Sequence, residues 1–292
     1  MLSILIPAYN YNVLPLVKEL YEQCKNCSIT FEIIVVDDSI EGEKSQENKK
    51  IVAFDNCKFI QNETNLGRTL TRKKLADEAK YEMLLFLDAD VLPVTKHFIA
   101  GYLPYLNKKL VVLGGIAYKN ETAGPNKILR LAYGKEREEK SAEIRNKKPY
   151  ASVLSANLLI PKDIFLQNNY SENRNLYGMD IYFSYKLFLN NVKVLHIDNA
   201  VYHIGLENDT VFFKKSLEAV KSRKDLLSEA DGIENVNNLL KHYKMLKKYN
   251  LTELTGFVFK IAEPFLKKMI LKKQPNLFCL DIYRLGYICT LK

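Results

Sequence analysis

Apolar residues occur along this chain first as short unbroken runs and later at helical spacing. Residues 3–8, 31–36 and 83–87 contain almost nothing polar, and each predicts a strand buried on both faces. Residues 57–60 predict a weaker strand. Between these runs, residues 13–27 carry apolar side chains at helical intervals. Residues 40–50 are polar and read as a loop or surface helix. Asn65-Leu66-Gly67 opens a helix that runs to about residue 80. Strands alternating with helices predict a mostly parallel sheet flanked by helices, with ligands bound beyond the carboxyl ends of its strands.

The pattern changes after Pro93. A strand at 110–113 closes on Gly114-Gly115. A charged helix is expected over 127–146, a strand over 152–160 and a helix from Pro161-Lys162-Asp163. Residues 181–189 read as a helix and 193–196 as a short strand. From residue 211 the signals are helical, with Phe213, Leu217, Val220 and Leu227 on one stripe.

The 47% apolar content supports a large core. The net charge of +9 is unevenly placed, since residues 211–292 alone carry +8. The basic character therefore describes a partner of that segment. The start of the chain has no basic stretch, and Pro7 ends its first apolar run, so a signal peptide is not expected. No run approaches the ~18–20 apolar residues of a membrane span. Five unevenly spread cysteines fit a reducing compartment, and a cytoplasmic protein is expected. Cys24 and Cys27 form a C-x-x-C with no second pair at zinc spacing, which favours core packing over a metal.

Chemistry concentrates where the apolar runs end. Asp88-Ala89-Asp90 follows the run at 83–87, and carboxylates two residues apart on an extended chain point the same way. Hard oxygen ligands of this kind suit Mg²⁺ or Mn²⁺. The bland alternative is a solvated strand end. Asp37-Asp38 follows the run at 31–36 and could bind a nucleotide's ribose or base, or simply form a turn or a cap. Arg72 lies one turn beyond Gly67, where it could meet phosphate, the acidic cluster or solvent. His196 lies inside a short apolar strand and reads as structural.

The order Pro7-Ala8-Tyr9-Asn10, Asp37-Asp38, Asn65-Leu66-Gly67 with Arg72, then Asp88-Ala89-Asp90 resembles glycosyltransferase family 2, of the GT-A fold. The likeness continues through Ser155-Ala156-Asn157, Gly178-Met179-Asp180 and Tyr202-His203-Ile204-Gly205. The resemblance implies an α/β, Rossmann-like catalytic domain over 1–207. Its nucleotide-binding half would be 1–95 and its acceptor half 96–207, followed by a basic helical extension at 208–292. It implies an inverting transferase that uses Mn²⁺ or Mg²⁺ and a nucleotide-sugar, with UDP favoured. The acceptor would be a saccharide or lipid-linked saccharide in surface polysaccharide or glycolipid synthesis.

By the same resemblance Pro7, Tyr9, Asp38 and Arg72 hold the nucleotide, and Asp88 reaches the ribose or the metal-bound diphosphate. Asp90 and His203, with Asp88, hold the metal. Gly115 lines the donor-sugar pocket and Asn157 lies near the donor sugar or acceptor. Asp180 is the general base. Met179 stands where the family has glutamate, which bears on sugar choice and activity.

Three rival readings differ in class. Asp37-Asp38 with the later Asp88 run and Lys148 suits a phospho-receiver domain, but Gly114-Gly115 closes the strand where a receiver needs Ser or Thr. Asp88-x-Asp90 with Val91 suits a haloacid-dehalogenase-type phosphatase, but a later acidic pair is lacking. Met179 leaves room for a sugar-nucleotide-binding protein without turnover. In the basic segment, Phe257, Val258, Ile261, Phe265, Leu266 and Met269 share one helical face with lysines around it. That face predicts docking on an anionic membrane surface at the inner leaflet. The alternative is packing on the catalytic domain or a second subunit. No base-reading motif accompanies the charge, so no nucleic-acid partner is expected.

Overall fold

The computed structural model describes residues 1–40, 42–119, 124–170, 172 and 176–291. The first half runs β1 (Leu2–Ala8), α1 (Leu14–Asn26), β2 (Phe31–Asp37), α2 (Glu43–Asn48), β3 (Cys57–Gln61), α3 (Gly67–Glu78) and β4 (Met83–Leu87). Next come β5 (Val91–Pro93), β6 (Val111–Leu113), β7 (Ile116–Ala117), α4 (Ile128–Tyr133), α5 (Ala142–Asn146), β8 (Asn157–Pro161), α6 (Lys162–Asn168), α7 (Asp180–Leu189), β9 (Val194–His196) and β10 (Val201–His203). Four helices follow: α8 (Asp209–Leu227), α9 (Asn238–Lys248), α10 (Thr252–Ile270) and α11 (Leu277–Thr290).

Seven strands form one sheet in the order β3-β2-β1-β4-β8-β6-β9. Alternation along β1 divides the core. Leu2, Ile4, Ile6 and Ala8 join Leu16, Val17 and Leu20 of α1, whereas Leu5 faces Leu75 and Ala76 of α3. The chain leaves β1 toward β2 and β3 on one side and returns as β4 on the other. The carboxyl ends of β1 and β4 therefore flank a topological switch point, where such sheets bind ligands.

The expected mostly parallel sheet is present, with one reversal. β8 runs antiparallel to both β4 and β6. Its residues are buried on both faces, so its apolar pattern carries no directional information. It is also shorter than the strand expected over 152–160, because Pro149–Ser152 forms a 3₁₀ turn. The helix expected over 127–146 is broken. α4 passes into a π turn at Gly134–Glu138, and extended backbone at Glu139 separates this from α5. The Tyr118 ring lies where a side chain on Gly134 would sit, and Glu138 is turned to accept from the Tyr118 hydroxyl.

A separate three-stranded sheet, β5-β10-β7, lies beyond β4. β10 pairs antiparallel with β5, setting His203 opposite Val91. The C-terminal helices pack on α4 and α7 through Leu129, Phe212, Tyr185 and Val220. Among the described residues no helix is long and apolar enough to cross a membrane. Cys24 is fully buried in the core, and burial pushes its thiol up to about 12.

His196 has the structural place expected of it. It is buried, and its Nε2 donates to the Pro149 carbonyl at 2.9 Å while Nδ1 accepts from Arg145 at 3.0 Å. Burial, with Arg145 adding to it against the Pro149 bond, pulls its pKa down to about 4. An unfolded histidine titrates near 6.5, so the unfolded chain takes up a proton first as pH falls. The His196 contribution is therefore intact above about pH 6.5 and is lost progressively toward pH 4, to a limit of roughly 3 kcal/mol. Urea unfolding between pH 7 and pH 5 should show this decline, and His196→Gln should flatten it. An equal slope in both proteins would mean that another group is responsible.

Candidate active site

A cleft of about 930 Å³ opens at the switch point. Pro7 and Tyr9 line it from the end of β1, and Asp88 and Asp90 from the end of β4. Arg68 and Arg72 reach it from α3, Asp180 from α7 and His203 from β10. Of the residues singled out in the sequence, all of these except Arg68 meet in one place together with Asp38.

The Asp-Asp pair after β2 divides its work. Asp37 is fully buried and accepts from Ser39 Oγ at 2.5 Å and Ser45 Oγ at 2.7 Å, which ties down the loop before α2. Asp38 accepts from Asn62 Nδ2 at 2.7 Å and from the backbone N–H groups of Leu66 and Gly67, each at 2.8 Å. Its negative charge sits at the N-terminus of α3, where the helix dipole favours it. Gly67 makes the turn possible with φ of 77°. Asp38 thereby fixes the helix that carries the two arginines, while still facing the cleft.

Arg72 donates to Asp88 Oδ1 at 2.5 Å, and Arg68 binds the other carboxylate oxygen. Asp88 is the main influence holding the Arg68 guanidinium protonated. Arg68 is an addition to the sequence reading. Its signal was the four-residue spacing to Arg72, which puts both on one face of α3. Asp90 has a different partner, with His203 Nε2 3.0 Å from its Oδ2. Burial pushes the Asp90 carboxyl up, but the His203 bond and charge outweigh it and hold the group below the ordinary range. The Asp90 carbonyl also accepts from Ile204 N–H at 2.9 Å, and a side chain on Gly205 would strike the Asp90 carboxylate at 2.3 Å. The His203-Ile204-Gly205 motif is thus built around Asp90.

This pair suits a divalent cation. Asp90 Oδ2 and His203 Nε2, now one hydrogen bond apart, could both turn toward such an ion. Only two protein groups converge there, so phosphate oxygens and water would complete the shell, as is usual for Mg²⁺ at phosphate sites. Arg130 lies behind His203, with Nη2 3.5 Å from Nδ1. That contact is too long to fix the ring's tautomer. Arg130 is itself held by Glu138 at 3.1 Å and stacked against Tyr118 and Phe212. Its buried Nη1 has no partner among the described residues. Nothing in its sequence context distinguished it from a surface arginine.

Asp180 is the first residue of α7 and does not cap it, because the N-cap position belongs to Met179. Its carboxylate instead accepts from Ser155 Oγ at 2.5 Å. The approach to α7 depends on Gly178, whose φ is 81° and whose missing side chain leaves room for Ala219 of α8. Met179, Tyr177, Lys215 and Lys221 add to the cleft lining.

Two expected residues lie elsewhere. Asn157 is buried, and its amide is used within the protein. It accepts from Tyr102 Oη at 2.6 Å and donates to the Gly115 and Asn199 carbonyls, each at 2.9 Å. Gly115 lines a separate small cavity of about 200 Å³ with Arg145 and Asn199, and a side chain there would meet the Arg145 guanidinium. Both residues clip β6, β8 and the segment before β10 together, and neither lines the large cleft.

The sheet, with an acidic cleft at its switch point, has the GT-A fold of the solved structures named below. The family model for glycosyl transferase family 2 matches residues 3–160, and the chain belongs to that family. No curated protein sequence matches it. Solved structures with a similar fold include Staphylococcus aureus TarS 1–349 in complex with UDP-GlcNAc, at 18% identity and TM-score 0.54. That match covers 98% of this chain and 90% of the other, and against a longer TarS chain the covered share of the other is 54%. A mannosyltransferase from Pyrobaculum calidifontis with GDP-Man and Mn²⁺ matches at 10% identity and TM-score 0.59, over 98% of this chain and 85% of that one. Glucosyl-3-phosphoglycerate synthase from Mycobacterium tuberculosis, with Mn²⁺ and UDP, matches at 13% identity and TM-score 0.50, over 76% and 78%. The receiver and phosphatase readings are set aside by this membership.

Asn157→Ala separates clip from ligand contact. It leaves the Tyr102 hydroxyl and two carbonyls without their partner, at about 1–3 kcal/mol per buried group. A fall of several degrees in melting temperature is expected, with nucleoside diphosphate affinity within a few-fold of the parent by calorimetric titration. A large loss of affinity at unchanged melting temperature would return Asn157 to the donor site.

Proposed function

We propose that the protein transfers a sugar from a nucleotide-sugar, with UDP as the favoured carrier, to an acceptor hydroxyl with inversion at the anomeric carbon and with a divalent cation bound. The observation that carries this reading is the separation of partners within one cleft. Asp90 is paired with His203 and Asp88 with arginines, while Asp180 is held by Ser155 on another wall. The similar structures solved with UDP-GlcNAc, or with GDP-Man or UDP and Mn²⁺, support the donor class and the metal.

In this reading Pro7 and Tyr9 form the nucleotide shelf, with Asp38 at the base. Mn²⁺ or Mg²⁺ held by Asp90 and His203 would offset charge on the departing diphosphate. Arg68, Arg72 and Arg130 add fixed positive charge where that group leaves. Asp88 orients the first two arginines and faces the ribose or diphosphate. Asp180, kept in place by the Ser155 hydroxyl, accepts the acceptor's proton as its oxygen attacks from the face opposite the leaving group. Such general-base help contributes about 10²- to 10⁴-fold. The acceptor class is a saccharide or lipid-linked saccharide of surface polysaccharide or glycolipid synthesis, met on the cytoplasmic side.

A panel of nucleotide-sugars assayed for nucleoside diphosphate release with Mn²⁺ tests the activity and separates it from binding without turnover. Asp180→Asn should lower turnover by ~10² or more while donor affinity stays within a few-fold. Normal turnover in that variant would place the base elsewhere.

Excess EDTA should abolish transfer, and Mn²⁺ should restore it at least as well as Mg²⁺, because an imidazole ligand favours a transition ion. Asp90→Ala should weaken metal-dependent donor binding in the same titration. Full activity in EDTA would overturn the metal's role.

A further inference from the structure

Helix α10 is apolar on two opposite faces, and only one of them is covered. Gly256, Phe259, Leu266 and Ile270 face inward. α10 and α11 form an antiparallel hairpin. Gly256 lies against the Cys289 carbonyl, and the Phe259 ring fills the space above Gly286 and packs edge-on to Tyr283. Leu266, expected on the outer face, is turned inward, and Met269 is half-buried beside it. The outer face carries Leu254, Phe257, Val258, Ile261 and Phe265, each between 54 and 69% exposed. The intervals of three and four residues align them as one stripe along the helix. Phe278, at the start of α11, is also 69% exposed. A continuous apolar stripe of this size on a folded surface marks a contact site.

The charges around the stripe select its partner. Lys260 and Lys267 project beside it, Lys268 continues it, and Lys272 and Lys273 lie in the turn that follows, all exposed. The nearby acids are largely engaged elsewhere. Glu263 accepts from the Tyr283 hydroxyl at 2.7 Å, and Asp281 pairs with Arg137 at 2.8 Å. A second copy would carry the same excess of lysine on this face and so offers it little complementary charge. A surface with an apolar interior and negative headgroups accepts both features, the aromatic stripe at the headgroup boundary and the lysines at the phosphates.

We propose that this outer face of α10, with Phe278, docks the protein on an anionic lipid membrane. The contact is independent of the transferase reading. It also orients the cleft, because α11 packs on α8, whose Lys215, Lys221 and Ser222 line the cleft wall.

The test uses the full chain and vesicles of phosphatidylglycerol with phosphatidylcholine, against phosphatidylcholine alone, in a sedimentation assay. The protein should pellet with the anionic vesicles at low salt, and high salt should release it. The triple variant Phe257→Ser, Ile261→Ser, Phe265→Ser should lose about tenfold or more in vesicle affinity at an unchanged melting temperature, since all three side chains are exposed. Lys267→Gln with Lys268→Gln and Lys272→Gln should lower affinity for anionic vesicles and weaken its salt dependence. Failure to pellet at low salt overturns the proposal, as does a triple variant that binds like the parent. Analytical ultracentrifugation supplies the remaining outcome. A parent dimer that the triple variant converts to monomer, without vesicle binding, assigns the stripe to a second copy instead.

Discussion

Four carboxylates, Asp38, Asp88, Asp90 and Asp180, open into one cleft, and their mutual repulsion is what the surrounding chain is arranged to offset. Each has its own partner. Backbone N–H groups at the start of α3 hold Asp38, arginines of that helix hold Asp88, β10 supplies His203 for Asp90, and the segment before β8 supplies Ser155 for Asp180. Charge at the end of a strand costs little in water, but it must be neutralised or hydrogen-bonded once it lines a cleft. The positions of α3, β10 and α7 around the sheet follow from these pairings as much as from core packing.

The central sheet was legible because its strands are buried on both faces and therefore read as unbroken apolar runs. The expected carboxylates and His203 sit where the runs and motifs placed them. The direction of β8 was not legible, since an apolar run of five residues reads the same either way. β5, β7 and β10 have only two or three residues each, too short for any period to register. Arg130 was hidden for a related reason, and so was the bond from Ser155 to Asp180. A single polar residue has no pattern, and its partner lies 25 residues away in the case of Ser155.

Asn157 and Gly115 show the limit of reading position by resemblance. Both lie next to residues that reach the cleft: Ser155 and Ala156 line it, and so does Ile116. Around β8 successive side chains point to opposite sides, so Ala156 and Leu158 line the cleft while Asn157 turns away, and Gly115, at φ of 93°, has no side chain to point. A shift of one residue moves a group from the ligand's side of the sheet to the clip behind it. The apolar face assigned to α10 met a similar difficulty. Two apolar stripes on one helix merge in a sequence projection, and only packing tells which is covered.

The contact between Gly178 and Ala219 has a further consequence. The turn that presents Asp180 rests on α8, and Asp209 at the head of α8 accepts from the Ile128 and Arg130 N–H groups at the start of α4. The border near residue 207, which the family resemblance implies as the end of one unit, is therefore a seam through the cleft walls. The two sides have to be inherited as a pair. A lineage could vary loops on either side, but recombination at this border would separate Asp180 from the helix that props its turn. Matched divergence across the seam, small residue facing small residue, is the record such a constraint would leave.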